Sequence, residues 1–150
     1  MKWVTRTNVR LDRVAMIWLI ERVIDPNAEI VLLPDAEAEA YAAENDAVLF
    51  HHPKAEMRNT GFRTGFDAMI MKYELSDPAL VLMQMALRGA ETTDRTLTPW
   101  STGIRAIGLG MRSLHEDDKR FIEEMGRVFD GLYQFCRDQL APVDPKGGRD

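Results

Sequence analysis

DRVAMIWLIERVIDP, residues 12–26, is the stretch on which the fold of this chain turns. Its interior is almost entirely apolar, with Asp12, Arg13 and Arg22 as the main charged exceptions, and residues 14–20 carry no charge at all. An apolar run through about two helical turns has no polar face to show water, so this helix must be buried on most sides. Arginines flanking a buried helix must snorkel, pair with carboxylates, or hold something anionic.

Working outward, residues 2–6 read as a short strand, and Asn8 is placed to cap the helix. Pro26 forces Asp25 out of the helical region and ends the helix near Ile24. Residues 28–33 (AEIVLL) form a β-branched apolar run of buried-strand type, broken by Pro34. Residues 35–44 are an Ala/Glu helix, and residues 47–50 a third strand. Strand–helix–strand–helix–strand order predicts a small parallel sheet with right-handed crossovers. Residues 51–63 (HHPKAEMRNTGFR) make a polar loop without periodicity, a natural place for function.

From residue 64 onward every signal is helical. Thr64 or Asp67 opens a helix to about Tyr73. Asp77-Pro78 starts another, running to Arg88 with Gly89 just past its end. Thr98-Pro99 starts a third, ending at Gly108 or Gly110. Ser113 to Glu116 has the spacing of a capping box, with Asp117 and Asp118 suited to the positive end of the last helix. That helix carries Phe121, Met125, Val128, Phe129, Leu132, Tyr133 and Cys136 at three- and four-residue spacing. The fold class is therefore α/β and α-rich, with a three-stranded parallel sheet in the N-terminal third and a helical C-terminal half. Residues 1–141 form one domain, and residues 142–150 a flexible tail.

The 150 residues suit one domain that buries roughly 68–70% of its unfolded-chain surface. A net charge of −5 argues against non-specific nucleic-acid binding by this chain alone. A single cysteine, Cys136, permits no intrachain disulfide, in keeping with a cytoplasmic location. The opening MKWVTRTNVRLDR has no apolar core of a signal peptide, and no run reaches the roughly 18 apolar residues of a membrane span.

Several motifs stand in order along the chain: WVTR at residues 3–6, LDR-x4-WLI-x-R-x-IDP at 11–26, GFDAMI-x-KYEL-x-DPAL at 65–80, RGAET at 88–92 and FDGLYQFCR at 129–137. As a set they resemble the chromate resistance exported protein family, a domain similar to the C-terminal part of chromate-sensing regulators. The resemblance implies a context of chromate stress more than a particular reaction. It also implies donor residues that this chain lacks. Asn59 and Thr64 stand where the family pattern has a histidine and a cysteine, Met16 where it commonly has a cysteine, and Lys119 where a histidine follows two aspartates.

Soft or imidazole-based metal sites need thiolate or imidazole donors, so no metal and no cofactor is expected. His51 and His52 point to opposite sides of an extended chain and read as solvated loop residues. The remaining metal guess is His115 or His52 with Asp67 or Asp117. Cys136 falls on the apolar stripe of the last helix and reads as an inert core thiol. Met69, Met71, Met83, Met85 and Met111 read as core filler. There is no GxSxG elbow, HExxH motif or glycine-rich phosphate loop, so no catalytic residue is assigned.

Arginine dominates the cations up to residue 110, and its rigid fork suits oxyanions. Arg13 and Arg22 lie nine positions apart, half a turn out of phase, and face opposite sides. The candidate ligand-binding set is Arg13, Arg63 and Arg88 with Asp12 and Asp67. The alternative, favoured by the frequency of such networks at helix junctions, pairs these arginines with Asp25, Asp67, Glu91 and Asp94. Three functions follow: a stress-associated domain that binds or senses a small oxyanion, a small redox or metal-assisted enzyme, and a homodimeric module using the Met- and Phe-rich helical half.

Overall fold

The computed structural model describes residues 1–142, so most of the expected tail lies outside the described residues. The elements run β1 (Lys2–Arg6), α1 (Leu11–Leu19, continued by a π-helical segment, Ile20–Ile24), β2 (Glu29–Leu33), α2 (Asp35–Asn45), β3 (Val48–Leu49), α3 (Gly65–Lys72), α4 (Pro78–Glu91), α5 (Ser101–Leu114) and α6 (Asp118–Leu140). The sheet order is β2-β1-β3. Both outer strands run parallel to β1, with Val4 opposite Val31 on one side and Leu49 on the other. The structure thus has the α/β, α-rich architecture that the hydrophobic pattern predicts.

The apolar run decides the packing. All seven residues from Arg13 to Leu19 are buried. α1 is enclosed by α3, α4, α5 and α6, while α2 packs on the sheet. The polar exceptions each find a partner. Trp18 Nε1 donates to Asp130 at 2.8 Å, and Arg22 Nε to the same carboxylate at 3.0 Å. Arg13 is buried at the other end, so the half-turn phase difference between the two arginines is realised. Cys136 is buried in the core, where desolvation lifts its thiol pKa to about 11. No helix among the described residues is long and apolar enough to cross a membrane.

Several local readings need correction. Asn8 does not cap α1: it adopts a left-handed conformation (φ 59°), and Arg10 takes the N-cap position without a side-chain bond. The backbone N–H groups of Asn8 and Val9 instead donate to the Asp118 carboxylate, each at 2.9 Å. α6 starts from Asp117, whose carboxylate accepts the Arg120 N–H, while Ser113 belongs to α5. Thr98-Pro99 precedes α5, which begins at Ser101. Met69 and Met83 are core, whereas Met71 and Met85 are exposed.

Glycine misled the helix ends. α4 continues through Gly89 to Glu91, and α5 through Gly108 and Gly110 to Leu114. Gly89 and Gly108 permit close approach instead of ending helices. A Cβ on Gly89 would lie 2.3 Å from Ser101 Oγ, and one on Gly108 would lie 2.7 Å from Leu11 Cδ1. Ser101 Oγ also donates to the Ala86 carbonyl at 2.9 Å, which locks α5 onto α4.

This contact gives a paired expectation for urea unfolding. Gly89→Ala should lose about 1–3 kcal/mol through overpacking against Ser101. Gly110→Ala, whose new Cβ meets nothing within 4 Å, should gain about 0.5–1 kcal/mol from reduced unfolded-chain freedom. Equal stabilities for the two variants would contradict the close α4–α5 contact.

Candidate functional site

The carboxyl ends of the parallel strands open onto a polar cluster, the usual place for a site in an α/β sheet. β1 leads into the start of α1, which carries Asp12. β3 leads through buried Phe50 to His51, held at φ 47°. His51 Nε2 lies 2.7 Å from Asp12 Oδ2. The Arg13 N–H donates to Asp12 Oδ1 at 2.8 Å. Asn59 joins the cluster by accepting the Gly65 N–H at 2.7 Å and donating to Asp12 at 3.4 Å. Burial pushes the Asp12 carboxyl up, but His51 and the Arg13 N–H outweigh it and leave the group below its ordinary pKa.

Next to this lies a bidentate ion pair. Thr64 and Asp67 cap α3 reciprocally, the Thr64 hydroxyl accepting the Asp67 N–H and the Asp67 carboxylate accepting the Thr64 N–H. Asp67 also receives Arg88 Nε at 3.1 Å and Nη2 at 3.0 Å. One buried carboxylate therefore ties the start of α3 to α4.

Glu91, three residues beyond Arg88, is different. Both of its carboxyl oxygens are shut off from solvent and have no hydrogen-bond partner among the described residues. Burial, then Asp12 and Asp67, push its pKa well above the ordinary value. The sequence reading placed Glu91 only as an ion-pair partner. A carboxylate in the last turn of a helix opposes the helix dipole, and that local conflict was the signal available in the sequence.

Glu91 stands in the wall between two cavities. The first, of about 360 Å³, is lined by Arg10, Asp12, Glu91, Arg105 and Arg112, with Gly108 and Leu109 on its apolar side. The second, of about 270 Å³, is lined by Asn59, Arg63, Thr64, Glu91, Thr92 and Thr93. An open groove beyond it runs along Thr60, Phe62, Arg63 and Arg88.

The five sequence-predicted residues are thus distributed. Arg63 and Arg88 share the open groove, and Arg88 is forked onto Asp67. Asp12 faces the first cavity. Arg13 turns away from its neighbour and donates to the main-chain carbonyls of Arg6, Thr7 and Asn8. None of these cavities is lined by all five. Arg10, Arg105 and Arg112 were all absent from the sequence-predicted set, since only the packing of α5 against the start of α1 brings them together.

The histidine reading also changes. His51 is mostly buried against Asp12, and His52 is 5% exposed with Nε2 2.6 Å from Asp35 Oδ1, so neither is a solvated loop residue. Among the described residues no three His, Cys, Asp or Glu side chains are grouped as the ligands of one ion. Positions 16, 59 and 64, where the resemblance calls for donors, meet around Gly65. A Cβ there would touch Met16 Sδ, and the Gly65 N–H is bound by Asn59.

Glu91 sets a pH dependence of stability. A carboxyl whose folded pKa is raised contributes fully below its unfolded value, and the contribution is lost as pH rises through the folded value. Glu91→Gln should therefore gain on the unsubstituted protein as pH climbs from 4 to 8. The gain is about 1.4 kcal/mol for each pH unit by which the folded pKa exceeds the unfolded one. Urea unfolding at several pH values checks this, and a stability difference independent of pH would contradict it.

A family model described as ChrB, C-terminal domain, matches residues 3–136. The chain is 29% identical over 133 residues to Protein ChrB of Cupriavidus metallidurans, an alignment covering 88% of this chain and 40% of that protein. The chain thus spans less than half the length of this curated relative. No solved structure matches the chain. The family match takes in the sheet, the buried α1 and every element that lines the cavities, and the chain belongs to the ChrB C-terminal-domain family of chromate-resistance proteins.

Proposed function

We propose that this domain binds a small tetrahedral oxyanion of the chromate and sulfate type in the cavity between the start of α1 and α5, and that it serves as a ligand-reading domain. The observation that carries the reading is the convergence of Arg10, Arg105 and Arg112 on one cavity of about 360 Å³. Guanidinium groups present several fixed donors to oxyanion oxygens, and a partly enclosed site strengthens each contact.

The arginines differ in their freedom. Arg112 is anchored to Asp118 at 2.9 Å and to the Glu116 carbonyl at 3.0 Å. Arg105 makes one long contact, 3.4 Å, to the Ala90 carbonyl. Arg10 has no side-chain partner among the described residues. A ligand would thus meet one rigid donor and two adjustable ones. Arg63 in the open groove adds positive potential beyond Glu91, while the charge of Arg88 beside it is offset by Asp67, so part of the sequence-predicted set remains as an outer attraction for anions.

Binding fits this site better than thiol chemistry. Cys136 is buried with a raised pKa and does not line the cavity. The link to chromate comes from the family, and the ligand itself is inferred from the arginine chemistry.

Thermal unfolding with and without sulfate or chromate tests the proposal. An anion at 100 times its dissociation constant should add about 2.7 kcal/mol of stability. Arg10→Ala and Arg105→Ala should lose that gain, and Arg63→Ala should keep most of it. Loss in Arg63→Ala alone would move the site to the open groove. Curves unchanged by millimolar sulfate and chromate would leave the arginines as a structural framework.

A further inference from the structure

We propose that Glu91 takes part in this oxyanion site as a carboxylic acid, donating its O–H to the bound anion, so that the anion is taken up together with a proton. The inference rests on the oxyanion reading of the cavity and assigns the residue that would make binding proton-linked.

The geometry is that of an acid passed over by every cation around it. Glu91 lines the cavity formed by Arg10, Arg105 and Arg112, and also the one on the side of Arg63. On its own helix, Arg88 forks onto Asp67 instead. On α5, Arg105 is drawn to the Ala90 carbonyl and Arg112 to Asp118 of α6. On α1, Arg13 is spent on loop carbonyls. The negative groups near it are Asp12 of α1, which His51 accompanies, and Asp67 of α3. Neither carboxyl oxygen has a partner among the described residues or contact with solvent, so the Glu91 side chain must turn toward the cavity to meet the anion.

Buried carboxyl oxygens left in this way call for a hydrogen-bonding partner. A cation would satisfy an ionised Glu91, but it would have to enter a cavity already lined by three guanidinium groups. An oxyanion fits those groups, provided that Glu91 is neutral. A protonated carboxyl then supplies a donor to an acceptor-only anion, whereas an ionised one would repel it. In proton accounting, an ionised Glu91, one proton from solvent and one dianion give the complex, with no bond broken in the anion. An anion carrying its own proton would release this demand, so the site discriminates in favour of dianions at low pH.

Sulfate is the probe, because its charge stays the same from pH 5 to 9. Its affinity is measured by calorimetry across that range, in two buffers of different ionisation enthalpy. For the unsubstituted protein, affinity should fall by up to about tenfold per pH unit once pH exceeds the folded pKa of Glu91. In that range binding should take up close to one proton, a readout that needs no variant. Glu91→Gln keeps a donor at every pH and should bind sulfate with a flat profile and no proton uptake. Glu91→Met, similar in size with no donor, should bind weakly throughout.

Sulfate binding that is equally pH-dependent in Glu91→Gln would overturn the assignment and point to His51. Binding without proton uptake at any pH would overturn it as well. Failure of sulfate to bind the unsubstituted protein at every pH would instead sink the oxyanion site, and this inference with it.

Discussion

The guanidinium of Arg13 holds the turn from which the rest of the structure is built. It is 7% exposed. Its donors reach the carbonyls of Arg6, Thr7 and Asn8, the residues that leave β1. The Asp118 carboxylate takes the N–H groups of Asn8 and Val9 from the other side. A chain segment held by its carbonyls and its amides has little freedom left. Burying these charges carries a large desolvation penalty, offset only because each is used on several backbone groups. The result is a fixed exit from the sheet. α1 can then enter the helical half with its apolar surface covered, while Arg10 and Asp12 face the cavity.

Every polar group around that cavity follows from the same economy of partners. Asp118 binds the loop and Arg112 together, so Arg112 is positioned by the contact that fixes the turn. Asp67 caps α3 and holds Arg88, which removes Arg88 as a partner for Glu91. Arg95 is drawn to the carbonyls of Gly89, Ala90 and Thr92 at the end of α4. Glu91 is left among arginines that have other partners, except Arg10 and Arg63, whose side chains have none among the described residues. A buried polar group without a partner is uncommon in native structures, and it marks this cavity more sharply than its volume does.

The strands and helices were legible because their signals are local. The β-branched run before Pro34 and the Asp77-Pro78 start each depend on a few neighbouring residues. The helix ends at Gly89 and Gly108 were not legible, because a glycine that ends a helix and one that admits another helix look alike in one dimension. Asn8 suits a cap chemically, but Arg13 and Asp118 pull its backbone into another conformation. Of the candidate site, the Asp67–Arg88 and Arg63–Arg88 neighbourhoods could be anticipated from arginines close to the polar loop. The cavity of Arg10, Arg105 and Arg112 could not, since it joins the start of α1 to a helix lying roughly a hundred positions further along the chain. The histidines were misread for the same reason: their carboxylate partners, Asp12 and Asp35, lie on other elements.

Amide and arginine side-chain NMR during a sulfate titration tests the central claim most directly, because it shows where an anion sits without relying on a variant that must fold. The account expects saturable shifts centred on the Nε–H groups of Arg10, Arg105 and Arg112 and on the backbone around Glu91, with smaller changes at Arg63. Shifts confined to Thr60, Phe62 and Arg63, or weak linear changes spread over all surface arginines, would contradict a built oxyanion site between α1 and α5.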